Sequence, residues 1–472
     1  MHSDDAERKA RWPRIKKFME NLGLNFSGDG LRATLARTVF GGAFFQLANV
    51  ALMFLIGVQL ARGLGPAGYG IYAFALASVS LLGIVTEFGF PQVALRETSI
   101  ATATQDWGLL RGIAIFGPLS VGVTSVVMLV ATELFFRFSS LKIDPVSRQT
   151  LELGLLLIPL VAQAKISSYM LMGLQRILIG QFGNLVLRPG SFALLIALVV
   201  VWRGGLTPLQ AMGLQVAGTF LTLVFAVSSF LALLPSEARR ATARIQTHNW
   251  LAAAWPMAMT EGLRVAQGQL SVVLLGALST AAQTGLFRVA DSTATMCGVT
   301  VSLLNSIVIS MFASLWAKRD LGRLQMLASV TTIAVMAGAV ALSVPVALFG
   351  RPLFRLFFGT SFGAAYPTFL ISCLANCSYG IFGLAGSLLN MSGNERQVTK
   401  AIAISLAVSV SLAILVIPFW GGRGAAMANV TGAFVWTILS WRNARSRLGI
   451  DTSLMKSFSM WREGTLRLLP CP

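Results

Sequence analysis

Charge is what this sequence lacks most: Asp, Glu, Lys and Arg together make up 12% of 472 residues. A soluble domain carries about 25%, so the chain cannot cover a water-facing surface. Histidine occurs only as His2 and His248, both outside apolar runs, which excludes histidine-based zinc or triad chemistry. Cysteine occurs at Cys297, Cys373, Cys377 and Cys471, without metal-ligand spacing. Three of these lie in apolar runs and read as small buried hydrophobes. No Gly-Lys dipeptide occurs, so there is no Walker A phosphate loop and no built-in ATP motor. What is abundant is apolar: 55% hydrophobic residues, 45 glycines and a mean hydropathy of +0.73. Such a composition excludes disorder and a secreted disulfide scaffold and predicts an all-α polytopic membrane protein with no cofactor or metal.

A bilayer-crossing helix needs about 20 mainly apolar residues, and backbone groups in lipid must bond internally. Twelve such runs are predicted, at 38–61, 70–90, 111–136, 151–172, 182–202, 208–234, 251–278, 286–312, 327–350, 366–390, 398–419 and 422–441. About 38 polar residues precede the first run, so it reads as a retained helix, not a cleaved leader. The predicted organisation is a basic N-terminal tail (1–37), a six-helix bundle (38–234), a cytoplasmic linker (235–250), a second six-helix bundle (251–441) and a basic C-terminal tail (442–472).

The net charge of +19 would point to nucleic acid in a soluble protein. Sorted by membrane side, 25 of the 37 bases fall with the N-terminus, 8 fall opposite and 4 lie within spans. Bases accumulate on the cytoplasmic side, so both termini are expected there, and no nucleic-acid partner is expected. The stretches RKARWPRIKKF and WRNARSRLGI mix bases with aromatics, which suits anionic lipid headgroups. Ordinary positive-inside flanking gives the same pattern.

Three sequence pairs indicate an internal repeat. Gly70, Tyr72 and Ala75 align with Gly285, Phe287 and Ala290 at a shift of 285 − 70 = 215. Ala211-Met212 aligns with Ala426-Met427 at the same shift, and Gly173/Arg176 aligns with Gly393/Arg396 at 393 − 173 = 220. A repeat near half the chain gives two six-helix halves, which run parallel because six is even. Such pairs enclose a midplane cavity and rock between two access states.

Ionisable groups at bilayer depth cost about 2.5–3.5 kcal/mol each on insertion scales, so they are candidates to line a wet cavity. The bases are Lys165, Arg188, Arg264 and Arg288, and the acids are Glu87, Glu261 and Asp291. Glu261/Arg264 and Arg288/Asp291 are spaced i,i+3, on one helix face. Internal ion pairing and a substrate-facing cavity wall are both compatible with that spacing. Lys165 and Arg188 have no helical partner in register, which favours an external anion. Arg288 and Asp291 also fit a position near the membrane surface, since their span starts near Leu286.

Pro189-Gly190 after Arg188 predicts a kink, as do Gly117-Pro118, Ile158-Pro159, Trp255-Pro256 and Val344-Pro345. Gln46, Asn49 and Gln59 add hydrogen-bonding capacity to the first span and read most simply as interhelix packing contacts.

The segment LARGLGPAGYGIYAFALASVSLLGIVTEFGFPQVALRE resembles the polysaccharide (O-antigen type) flippases of the multidrug/oligosaccharidyl-lipid/polysaccharide exporter superfamily. The residues that carry the likeness are Leu64-Gly65-Pro66, Tyr69-Gly70 with Tyr72, Glu87 with Gly89, and Arg96. The second repeat departs from it, with Gly276-Ala277-Leu278-Ser279 where the first has Leu-Gly-Pro. The resemblance implies a flippase of the bacterial inner membrane. It would move undecaprenyl-diphosphate-linked oligosaccharides by alternating access, with H⁺ or Na⁺ as coupling ion. The implied partners are membrane lipids, a polysaccharide polymerase and chain-length machinery. In that reading Lys165, Arg188, Arg264 and Arg288 bind the anionic substrate, and Glu87, Glu261 and Asp291 take the coupling ion. The alternative is a cation-coupled multidrug exporter of the same fold. A membrane-bound glycan enzyme needs a large outer loop with acid/base residues, and the connections are too short for one.

Overall fold

The computed structural model describes residues 31–138 and 144–462. The stretch RKARWPRIKKF, Lys142 and residues 463–472 with Cys471 lie outside them. Helices follow one another, with no strand among the described residues. They are α1 (Leu31–Glu87), α2 (Phe90–Thr104), α3 (Trp107–Phe138), α4 (Pro145–Leu155), α5 (Leu157–Gly173), α6 (Ile177–Phe182), a π-turn (Gly183–Leu187), α7 (Arg188–Arg203), α8 (Pro208–Leu233) and α9 (Ser236–Arg240). Then come α10 (Thr247–Leu278), α11 (Ala281–Cys297), α12 (Val299–Ala317), α13 (Leu321–Phe358), a 3₁₀ turn (Thr360–Ala365), α14 (Tyr366–Phe382), α15 (Ala385–Met391), α16 (Glu395–Leu448) and α17 (Leu454–Arg462). The chain is an all-α, multi-pass membrane protein.

Eight of these helical stretches are long and apolar enough to cross a membrane, or nine if the bent α14–α15 pair counts as one. Two of them each cover two predicted spans. The 57 residues of α1 amount to about 85 Å of helix against a hydrocarbon core of about 30 Å, so α1 must turn within its length. It does so at Gly65, whose φ of 66° and ψ of 178° fall in a region open essentially only to glycine. The Leu64-Gly65-Pro66 motif is therefore a kink with proline starting the second segment, not a separate loop. Gly421 (φ 52°, ψ −128°) plays the same part in α16.

Apolar runs do not coincide with unbroken helices. The second predicted span ends in a break at Phe88-Gly89, and the eighth is interrupted at Gly298. At that second break the Asn376 amide donates to the Ala294 carbonyl at 2.7 Å, satisfying an end group of α11. Of the predicted proline kinks, the one near Pro159 falls at the α4–α5 break and the one at Pro189 follows the π-turn. Pro118, Pro256 and Pro345 stay inside α3, α10 and α13.

The repeat is visible in the hydrogen bonds. The Ser191 hydroxyl donates to Gly218 O at 3.4 Å, and the Ser405 hydroxyl donates to Gly432 O at 2.7 Å. Gln105 and Arg319 are both left-handed, each followed by an aspartate that caps the next helix. Asp106 accepts from Leu109 N–H and Asp320 from Arg323 N–H, both at 3.0 Å. One pairing read from sequence changes. The turn Leu174-Gln175-Arg176 bonds back to Met170, Met172 and Leu171, and Ser392-Gly393-Asn394 bonds back in the same order to Leu388, Asn390 and Leu389. The equivalence is therefore at 392 − 174 = 218, and Arg176 matches Asn394, not Arg396. The left-handed residue fixes the register: it is Gln175 in one turn and Gly393 in the other.

The connection 235–250 is docked, not loose. Ala238 of α9 is fully buried, Arg244 N–H donates to Gly108 O at 2.9 Å, and the Arg111 guanidinium donates to Ala241 O at 2.6 Å. The segment after α16 repeats the device, with the Gln325 amide donating to Asp451 O at 2.6 Å.

Candidate substrate cavity and its charged residues

Four of the predicted in-span charges form one network across three helices. Glu87 is the last residue of α1, Lys165 is on α5, and Glu261 and Arg264 are on α10. Lys165 Nζ lies 2.6 Å from Glu87 and 3.5 Å from Glu261. Arg264 lies 2.8 Å from the Glu261 carboxylate, one turn along the same helix. Lys165 thus joins an acid of the first repeat to an acid of the second. It finds these partners in space, although none is in register on its own helix.

Arg188, Arg288 and Asp291 are placed differently. Among the described residues none of the three has an opposite charge within 4.0 Å, in contrast to Glu261 and Arg264. Arg288 and Asp291 share one face of α11 without pairing, and Arg288 lies against Tyr69. All three are half-buried and line a cavity of about 590 Å³, together with Gln46, Asn49, Tyr69, Tyr72, Asn184, Gln215 and Gln269. A smaller cavity of about 210 Å³ contains Glu87, Lys165 and Glu261. Leu76, Ser80, Arg188 and Gln269 line both, so Arg188 stands where the two compartments meet. Arg264 faces a third space of about 400 Å³ with Asn305, Tyr379 and Trp436.

The motif residues build the walls of this space. Tyr69 and Tyr72 are buried and stacked, with ring centroids 6.4 Å apart, and Tyr72 stacks on Phe192 at 6.3 Å. Gly70 lies at the contact of α1 with α11: a β-carbon there would sit 1.7 Å from Ala281 O. Gly89 packs against α10, where a β-carbon would sit 2.5 Å from Ala254 O. Arg96 stands apart on α2 and pairs with Glu97 at 2.7 Å. Sequence reading missed Ser80, Asn184, Gln215 and Gln269 as wall residues. Their signal is present, a polar side chain within an apolar run, but it does not say which helix face points inward.

Against known proteins, the sequence profile of the polysaccharide biosynthesis protein family matches residues 35–316. The chain belongs to that family. No curated protein matches it significantly. Among solved structures, it is similar to an inward-facing multidrug resistance MATE family transporter of the MOP superfamily, with a TM-score of 0.69 at 14% identity. That match covers 86% of this chain and 98% of the other. It is also similar to the lipid II flippase MurJ in an inward closed conformation, with a TM-score of 0.66 at 12% identity over 90% and 93% of the two chains. A third similar structure is a MOP superfamily transporter from Pyrococcus furiosus, with a TM-score of 0.58 at 15% identity over 88% and 96%. This polysaccharide biosynthesis protein therefore shares the fold of those membrane transporters.

Proposed function

We propose that this protein translocates undecaprenyl-diphosphate-linked oligosaccharides across the bacterial inner membrane by alternating access, with both termini in the cytoplasm. The observation that carries this is the contrast among the four bases. Lys165 and Arg264 are held by acids, whereas Arg188 and Arg288 project half-buried, and without ion pairs among the described residues, into the cavity that α1 and α11 wall. A cation at low dielectric without a counter-ion favours an anionic ligand strongly. The diphosphate binds at Arg188 and Arg288, and the sugars lie along Tyr69, Tyr72, Asn184, Gln215 and Gln269. Carbohydrate hydroxyls match those amides, and sugar faces match aromatic rings. The network of Glu87, Lys165 and Glu261 exchanges partners as H⁺ or Na⁺ binds, and Asp291 is the remaining carboxylate available to such an ion.

A cation-exporting role fits less well. Two of the three cavity acids are already paired with bases, Glu87 with Lys165 and Glu261 with Arg264. The test is transfer of a fluorescent undecaprenyl-diphosphate oligosaccharide across proteoliposomes. Arg188→Gln with Arg288→Gln should abolish transfer while insertion and Tm hold. Transfer at the wild-type rate would refute the assignment.

A further inference from the structure

The geometry points to Asn49 as the positioning residue for Arg188. Arg188 is the first residue of α7 and follows the π-turn Gly183–Leu187, its own N–H bonding five residues back to Gly183 O. Pro189 comes next. In a regular helix the residue at 189 donates its N–H to the carbonyl four positions earlier, which is Leu185. Proline has no N–H, so that bond is missing and the Leu185 carbonyl needs another donor. The Asn49 side-chain amide supplies it from α1, at 3.0 Å. A carbonyl inside a membrane protein has no water to turn to, so this contact holds the turn in its π form. Wide turns of this kind re-aim the side chains beside them. Here the side chain re-aimed is Arg188, which reaches the junction of the two compartments while Asn49 lines the larger one.

This inference rests on the anion-binding reading of Arg188 but is separable from it by experiment. Its signature is suppression. Asn49→Ala removes the donor, whereas Pro189→Ala restores a backbone N–H that can bond Leu185 itself. Binding of farnesyl diphosphate is measured in detergent for wild type, Arg188→Gln, Asn49→Ala and the Asn49→Ala/Pro189→Ala double variant. Asn49→Ala should weaken binding by about 2- to 10-fold, the scale of one hydrogen bond, and the double variant should recover it. A general packing role for Asn49 gives the same loss without recovery, and that outcome overturns the inference, as does wild-type binding by Asn49→Ala. If wild type itself binds no farnesyl diphosphate, the functional reading fails, and the inference is decided by geometry instead. Spin labels at Arg176→Cys and Val201→Cys, on a background without the native cysteines, then read the bend between α6 and α7. Their separation should change in Asn49→Ala and return in the double variant; an unchanged separation overturns the inference.

Discussion

Gly70 and Gly285 meet face to face, and their environments are rotationally equivalent copies within the chain. A β-carbon on Gly70 would strike Ala281 O at 1.7 Å, and one on Gly285 would strike Pro66 O at 2.0 Å. The shifts 281 − 66 and 285 − 70 are both 215, so the two contacts are one contact seen from each repeat. The repeat axis therefore passes through this glycine pair, and α1 and α11 approach as closely as backbone allows. Small residues are how membrane helices come together, since lipid offers them no hydrophobic drive.

Filling that contact should hurt from either side. Gly70→Val and Gly285→Val should each destabilise the protein by about 1–3 kcal/mol or more, the cost of overpacking. Because both act on the same contact, the double variant should cost less than the two losses added. Thermal unfolding in detergent measures this, and full additivity would contradict a shared contact.

Lys165 holds two acids of different repeats. Lys165→Met should leave Glu87 without a cation, at a cost of about 3–5 kcal/mol, the range for a broken buried pair. Lys165→Met combined with Glu87→Gln should recover part of that loss, because Glu261 keeps Arg264 at 2.8 Å. A single variant as stable as wild type would show that the network carries no weight.

Gly65 should not accept a side chain. The space around it is open, with none of the described residues within 4 Å of a built β-carbon, so any penalty comes from the backbone alone. Gly65→Ala should cost about 1–3 kcal/mol for strain in a region left to glycine. Gly57→Ala, also in open space but at an ordinary helical position, is the control and should leave Tm unchanged or raised.

The strap after α16 should loosen in acid. Burial alone would raise the Asp451 carboxyl. The Trp441 indole N–H at 2.8 Å, the Ser453 N–H at 3.0 Å and the nearby Arg445 outweigh it, so its pKa is lowered. A carboxyl lowered by folding stabilises the fold above its unfolded pKa of about 3.9. That contribution is lost as pH falls through the folded value. Hydrogen exchange at residues 450–458 should therefore rise only below about pH 4. Asp451→Asn should show the raised exchange already at neutral pH. Equal protection in the variant would remove Asp451 from this role.

Several of these features could be read from the letters and others could not. The scarcity of charge and the apolar runs suffice for an all-α membrane fold. Isolated charges in those runs name Lys165 and Arg188 as unusual. Hydropathy has no term for backbone dihedrals, so the breaks at Gly89 and Gly298 stay hidden inside apolar stretches. Helical spacing finds the Glu261/Arg264 pair but not Lys165 with Glu87, whose partners lie on different helices. Matching identical residues put the Gly173 turn two positions out of register, because the turn is set by which residue turns left-handed. Pro189 was legible as a kink; that Asn49 answers it was not, since the two lie on separate helices.

The docked connection between the repeats has a mechanical consequence. Arg111 and Gly108 hold the chain as far as Arg244, and α10 begins at Thr247. Only Ile245 and Gln246 stand between an anchored strand of chain and a rigid rod. With so short a leash the second repeat can pivot but has almost no room to slide. In the alternating-access motion proposed above, the covalent link would act as a fulcrum, and the farthest travel would fall at the end of the molecule opposite to it.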